Sequence, residues 1–389
     1  MPTRGEAGRA SEDSFHRYPW YSPRFWHGMP VSVWFDLARE NGWRAMPSQW
    51  GMMGTVTALS AFNSVAEPLS NARFGRLLRQ KPLLPQPVFI IGHWRSGTTL
   101  LHELMMLDPT FSCPSTFQCF APGHFLLTES VLTRLLAGVI PKKRPMDNVA
   151  AGWDRPQEDE FALMNMGAPS PYRRMAFPAN ASDRPYALDL RTLTEAELAK
   201  WKQTMERFLR MLAIRDPRRP VLKSPPHTAR VGVLAEMFPG AKFLHIVRDP
   251  FVVFPSTVRL WKSLHAVQSF QKDADDATER YVFNAFDEMY AAFERDRPLV
   301  EPDRLHELKY EDLVSDPVAS LAAAYEALDL GDFSRVRKPL EDHARSMKRY
   351  QTNRYTLDAE KIEKVASRWK PFIDRYGYKV PEADEVCPA

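Results

Sequence analysis

The chain has too few cysteines to be a disulfide scaffold. Three in 389 residues, Cys113, Cys119 and Cys387, show no paired spacing of the kind that holds zinc, so structural thiols in a reducing compartment, most simply the cytoplasm, are expected. A long block of like charge is also missing. With 52 Lys+Arg against 48 Asp+Glu the formal net charge is +4, a weak excess that suits an anionic small ligand and falls short of the clustered basicity of a nucleic-acid binder. Met1 to Ser14 is polar and has no apolar h-region, which argues against a secretory signal. The most apolar candidate for a membrane span, Trp50 to Val65, is too short and is interrupted by Gly51, Gly54, Ser60 and Asn63, so no transmembrane helix is expected. Neither internal repeats nor the composition of a disordered chain are found; 44% hydrophobic residues are ordinary for a folded protein of this length.

What stands out instead is Val88-Phe89-Ile90-Ile91-Gly92-His93-Trp94-Arg95-Ser96-Gly97-Thr98-Thr99-Leu100-Leu101, an apolar run that breaks into a glycine-bounded turn and resumes with helical spacing. It reads as strand, phosphate loop, helix. The two glycines bracket four residues as in a Walker loop, so successive N–H groups and a helix N-terminus converge on an anion. Thr98 stands where a nucleotide triphosphatase carries its lysine, and Arg95 is the only cation inside the loop.

Around this unit the chain reads as a P-loop-like three-layer α/β fold with a central parallel sheet, a helical N-terminal subdomain and helical insertions. Residues 1–17 are expected to be a disordered tail. Residues 18–86, rich in Trp and Met (Trp20, Trp26, Trp34, Trp43, Trp50, Met46, Met52, Met53), form the helical subdomain and end in the proline-punctuated Lys81 to Pro87. Its aromatics are core by default, with an acceptor wall or a membrane-surface face as the alternatives. Residues 87–380 are expected to form the α/β domain, with a helical insertion on the sheet edge at about 111–219 that includes the basic Pro141 to Pro145 and a helix start at Thr194, where Glu197 completes a capping box. Strands are expected at Val221–Lys223, Lys242–Val247 and Leu305–Tyr310, each followed by a helix, and a last helix at Thr356–Tyr376.

A second informative stretch is Val221-Leu222-Lys223-Ser224-Pro225-Pro226-His227, followed by Lys242-Phe243-Leu244-His245-Ile246-Val247-Arg248-Asp249-Pro250 and Ser256. A loop reading Arg-Ser-Gly-Thr-Thr, a lysine ending a middle strand, and an arginine ending a later strand with a serine eight residues on occur here in that order. Together they make the chain resemble the PAPS-dependent sulfotransferases, nearer the tyrosylprotein and bacterial branches than the small-phenol branch. The resemblance implies that Arg95, Ser96, Gly97, Thr98 and Thr99 hold the 5′-phosphate side of PAPS, and that Arg248 and Ser256 bind its 3′-phosphate. It also places Lys223 near the transferring sulfuryl group and Tyr310 near the nucleotide. Sulfuryl transfer is an in-line displacement in which charge grows on the bridging oxygen, so Arg95 and Lys223 are the candidate catalytic cations; no metal is called for.

The acceptor hydroxyl must also lose a proton. The tyrosylprotein branch carries a glutamate soon after the loop helix, whereas Ser112 to Gln118 here contains no carboxylate. Glu158 and Glu160, in the acidic knot Gln157-Glu158-Asp159-Glu160, are the favoured candidates, with His227 and His124 as others; plain helix capping is the competing reading of the knot. His102, His245 and His265 are given no role, and Ser346, Lys348, Arg349 and Arg354 are candidates for a late basic loop over the 3′-phosphate. The expected acceptor is a small molecule or peptide bearing a hydroxyl, apolar or aromatic, with peripheral membrane contact a possibility. The rival readings are a P-loop kinase and a non-catalytic nucleotide-binding protein of the membrane surface.

Overall fold

The computed structural model describes residues 22–83, 86–138, 152–272, 275–347, 355–382 and 386–387. The expected tail, Trp20, the basic stretch Pro141 to Pro145, and Lys348, Arg349 and Arg354 lie outside them. Five parallel strands form the centre: β1 (Val88–Ile91), β2 (Phe111–Ser112), β3 (Arg219–Lys223), β4 (Lys242–Val247) and β5 (Leu305–Lys309), in the order β2-β3-β1-β4-β5. The helices are α1 (Val31–Glu40), α2 (Trp50–Gln80), α3 (Thr98–Met105), α4 (Thr116–Phe120), α5 (Phe125–Leu135), α6 (Asp159–Asn165), α7 (Glu195–Arg215), α8 (Val231–Met237), α9 (Pro250–Gln268), α10 (Asp275–Asp296), α11 (Tyr310–Ser315) and α12 (Pro317–Leu328). Further helices span Ser334–Met347, Ala359–Arg368 and Lys370–Tyr376.

The reason for three layers is visible in β1. All four of its residues are buried, and they alternate: Phe89 and Ile91 belong to one apolar core, Val88 and Ile90 to the other. The smaller core is closed by α3 (Leu101, Leu104, Met105) and α12 (Leu321, Ala324, Leu328). The larger takes α7, α9 and α10, and also Phe25, Trp26, Met29 and Trp34 from the N-terminal helices. Trp26 and Trp34 are therefore core, as the default reading holds, whereas Trp43 and Trp50 are exposed and depart from it. Within the segment expected to be mostly helical and loop-rich, β2 adds a two-residue edge strand beside β3, and the capping box at Thr194 forms as expected, its hydroxyl accepting from the Glu197 N–H. The last helix is two, broken at Trp369. Because β1 lies between β3 and β4, the chain leaves the sheet in opposite directions on either side of β1, and the carboxyl ends of these strands open a crevice there.

Candidate active site

Everything of chemical interest gathers at that crevice. The turn after β1 needs both glycines. Gly92 has φ 146° and a Cβ there would lie 2.4 Å from the Ile246 carbonyl oxygen; Gly97 has φ 102° and its Cβ would meet the Tyr310 ring at 2.4 Å. The Gly92 N–H donates to the buried Thr228 hydroxyl at 2.7 Å, which ties the turn to the segment after β3. Gly97 is the N-cap of α3 and no side chain caps that helix, so the first-turn N–H groups of Thr98 and Thr99 face the turn without a side-chain acceptor.

Three further predicted residues reach the same turn from other strands. Arg95 donates from Nε to the Ser256 hydroxyl at 2.9 Å, and Arg248 donates to the Arg95 carbonyl at 3.1 Å while its guanidinium stacks over the Tyr310 ring at 3.9 Å. Arg248 leaves the end of β4, Ser256 lies on α9, and Tyr310 opens α11 after β5. Residues up to 215 positions apart in sequence thus share one cluster, with Arg95 and Arg248 both at a helix N-terminus. It is a cationic cradle suited to phosphate.

Lys223 is buried at the end of β3, whose register sets it opposite Ile90 of β1, so it emerges beside the glycine turn. Its ammonium donates to Glu158 Oε1 at 2.7 Å. The other oxygen of that carboxylate accepts from the Tyr172 hydroxyl at 2.6 Å, which itself accepts from the indole N–H of Trp94 at 2.9 Å. Burial, with the Glu158 carboxylate beside it, pushes the Tyr172 phenol well above its ordinary range, so it stays a neutral donor. The chain Lys223, Glu158, Tyr172, Trp94 therefore fixes one carboxylate between the end of β3 and the loop.

The acidic knot makes no side-chain cap of α6; its three carboxylates take three partners. Glu158 takes Lys223, Asp159 takes His227 (2.6 Å), and Glu160 takes Arg230 at 2.5 and 3.1 Å together with the Ser170 hydroxyl at 2.6 Å. His227, Asp159, Glu160 and Arg230 are fully buried, whereas the Glu158 side chain keeps some exposure. Glu158 is accordingly the member of the knot that touches the candidate cation and keeps some exposure to solvent. His124 is remote from this network by its bonding: its ring nitrogens contact Thr128 and Asn63, and burial pushes its pKa down to about 4. Tyr172, Trp94 and Thr228 were not singled out from the sequence. Their signal is tertiary, since nothing in the local pattern around an isolated tyrosine or threonine marks a partner scores of residues away.

No group of three or more His, Cys, Asp or Glu arranged to hold a metal is found among the described residues. Cys113 and Cys119 are free thiols, and burial raises the Cys113 thiol to about 12, so neither is a ready nucleophile.

Comparison with known proteins gives a consistent result. Residues 87–335 match the sulfotransferase family. Over 376 residues, 95% of each chain, the protein is 40% identical to the omega-hydroxy-beta-dihydromenaquinone-9 sulfotransferase Stf3 of Mycobacterium bovis and of Mycobacterium tuberculosis. Among solved structures it is similar to sulfotransferase STF9 from Mycobacterium avium (TM-score 0.62, 18% identity, 92% of this chain and 98% of that one). Sulfotransferase STF1 from Mycobacterium tuberculosis gives a TM-score of 0.57 at 16% identity, covering 87% and 90%; at these identities the likeness is one of fold.

Proposed function

This chain belongs to the sulfotransferase family, and we propose that it transfers the sulfuryl group of PAPS to the terminal hydroxyl of an apolar isoprenoid alcohol, with Glu158 as the base. Family membership sets aside the kinase alternative. The acceptor class is supported by the 40% identity over nearly the whole chain to a sulfotransferase named for an ω-hydroxylated menaquinone. The single observation that carries the mechanism is the Lys223–Glu158 contact at 2.7 Å beside the glycine turn, which sets a cation and a carboxylate next to each other at the mouth of the phosphate cradle.

In this reading the first-turn N–H groups of α3, with Ser96, Thr98, Thr99 and Arg95, hold the 5′-phosphate, while Arg248 and Ser256 hold the 3′-phosphate and Tyr310 flanks the nucleotide. The residues present fit such a donor: Gly92 and Gly97 let the turn lie directly against the Ile246 carbonyl and the Tyr310 ring, where any Cβ would collide, and Arg95 and Arg248 bring two guanidinium groups to it. PAPS supplies the activated sulfuryl group. Glu158 accepts the proton of the acceptor hydroxyl as its oxygen bonds to sulfur. The bond from sulfur to the bridging oxygen breaks, and Lys223 neutralises the charge left on that oxygen. Glu160 and His227 act as supports in this reading, since each is closed off by a buried partner.

The test is transfer of radiolabelled sulfate from PAPS to short ω-hydroxylated isoprenoid quinones, with phenols and a tyrosine peptide as competitors. Label on the isoprenoid hydroxyl is expected. Label on tyrosine or phenol alone would overturn the acceptor assignment.

A further inference from the structure

Helix α2 has its polarity reversed. The side chains it turns inward include Ser60, Asn63 and Ser70 besides Val56 and Ala66. Those it turns to solvent include Leu59, Phe62, Val65 and Leu69, at 43%, 44%, 64% and 57% exposure, a spacing that keeps them on one stripe. Trp50 at one end and Leu77 at the other are likewise exposed. Helix α5 packs against α2, fixed by the His124 Nε2–H donating to Asn63 Oδ1 (3.0 Å) and by an edge contact with Phe62 (5.5 Å). It adds Leu127, Val131 and Leu135, one turn apart and 39%, 57% and 72% exposed. An apolar face of this extent on two adjoining helices is a surface that something covers.

The charges around it say what. Arg73, Arg76 and Arg79 of α2 and Arg134 of α5 are exposed. Each helix contains one acid, and both are neutralised elsewhere: Glu67 by Arg207 at 2.9 Å and Glu129 by Arg215 at 2.7 Å. The face is therefore apolar and cationic with no free carboxylate. A second copy of the chain is a poor match, because a two-fold interface would bring this face against itself and offer its arginines no free carboxylate. An apolar stripe with arginines beside it suits the plane of a membrane, and no helix among the described residues is long and apolar enough to cross one.

We propose that α2 and α5 form a docking face for the surface of a bilayer containing anionic phospholipid, with Leu59, Phe62, Val65, Leu69, Val131 and Leu135 at the acyl boundary and the four arginines among the headgroups. The face also lies close in the fold to the candidate chemistry: α5 packs on α4, and α4 on α6, which Glu158 precedes. Delivery of a lipid acceptor from the bilayer to Glu158 rests on the acceptor reading above; docking itself does not.

The test is flotation of the full chain with vesicles of phosphatidylcholine alone or with about one third phosphatidylglycerol. Binding is expected to the anionic vesicles, and to fall about fivefold for each arginine neutralised in Arg73→Gln, Arg76→Gln and Arg79→Gln combined. The pair Val65→Glu and Leu69→Glu should lower it at least about tenfold. These positions face solvent, so an unchanged melting midpoint is expected in every variant. A wild-type chain that stays behind with anionic vesicles, or a glutamate variant that floats like wild type, would overturn the proposal. So would a dimer in light scattering that the glutamates dissociate, since it would identify a second copy as the occupant. If the wild-type chain binds vesicles yet transfers no sulfate to the short soluble isoprenoid alcohols, docking stands and the acceptor reading alone fails.

Discussion

Replacing Glu158 by Gln removes the charge opposite Lys223 while keeping the size of the side chain. In the wild type both oxygens accept: one from the Lys223 ammonium at 2.7 Å, the other from the Tyr172 hydroxyl at 2.6 Å. An amide offers one acceptor and one donor. Tyr172 cannot reverse its hydroxyl without losing the Trp94 indole N–H that it accepts at 2.9 Å, and the ammonium cannot accept at all. One of the two contacts therefore becomes donor against donor, at a cost of about 1–3 kcal/mol in a largely buried setting. That cost falls on stability and is read from the melting midpoint. The catalytic effect is separate: losing a positioned base costs about 100-fold to 10,000-fold in turnover. The assay is initial rates at saturating donor, paired with calorimetry of the product nucleotide PAP. Turnover is expected to drop at least about 100-fold with PAP affinity within about threefold of wild type, because Glu158 touches neither Arg95 nor Arg248. A rate within about threefold of wild type, or equal losses in turnover and PAP affinity, would refute the assignment of Glu158 as the base.

Arg230→Ala leaves Glu160 buried without its guanidinium, and should destabilise the fold by about 3–5 kcal/mol in chemical denaturation. The double replacement Arg230→Met with Glu160→Leu should recover most of that loss, and its failure to do so would show that the pair does more than satisfy itself. Acidification should also destabilise the protein earlier than carboxylate titration would. Burial lowers His93 to about 3 and His124 to about 4, both from 6.5, so the unfolded chain takes up protons that the folded chain refuses. Stability is full above about pH 6.5 and falls as the pH drops toward 4, by roughly 3 kcal/mol for His124 alone. A flat stability between about pH 6.5 and 5 would contradict this.

Much of the site was legible because its parts are local. Val88–Ile91 and Lys242–Val247 are continuous apolar runs, which is how strands buried on both faces read, and the glycine turn carries its own conformational signature. Arg248, Ser256 and Tyr310 could be named through the family resemblance; Ser256 and Arg248 bond Arg95, and Tyr310 lies under the Arg248 guanidinium. The two-residue β2 was missed because a strand that short has no periodicity to detect. The break at Trp369 was missed because Lys370-Pro371 restarts a helix only one residue on, within an unbroken polar-apolar rhythm. The acidic knot was visible as a cluster of charge at a helix start, but its pairing with Lys223, His227 and Arg230 was not. Those three partners lie at one, five and eight residues past Leu222, a helix-like rhythm that has meaning only once the segment after β3 is packed against α6.

The cradle after β1, joined by Arg248 and Ser256, is expected to recognise a nucleotide with phosphate at both ends of its ribose. Isothermal titration of the metal-free protein with PAP and with AMP, which differ only by the 3′-phosphate, tests it most directly. PAP is expected to bind at least about tenfold tighter, as one charge-assisted hydrogen bond of about 1.5–3 kcal/mol requires, and Arg248→Ala should erase the preference. Equal affinities for the two nucleotides, or a preference that survives the loss of Arg248, would contradict it.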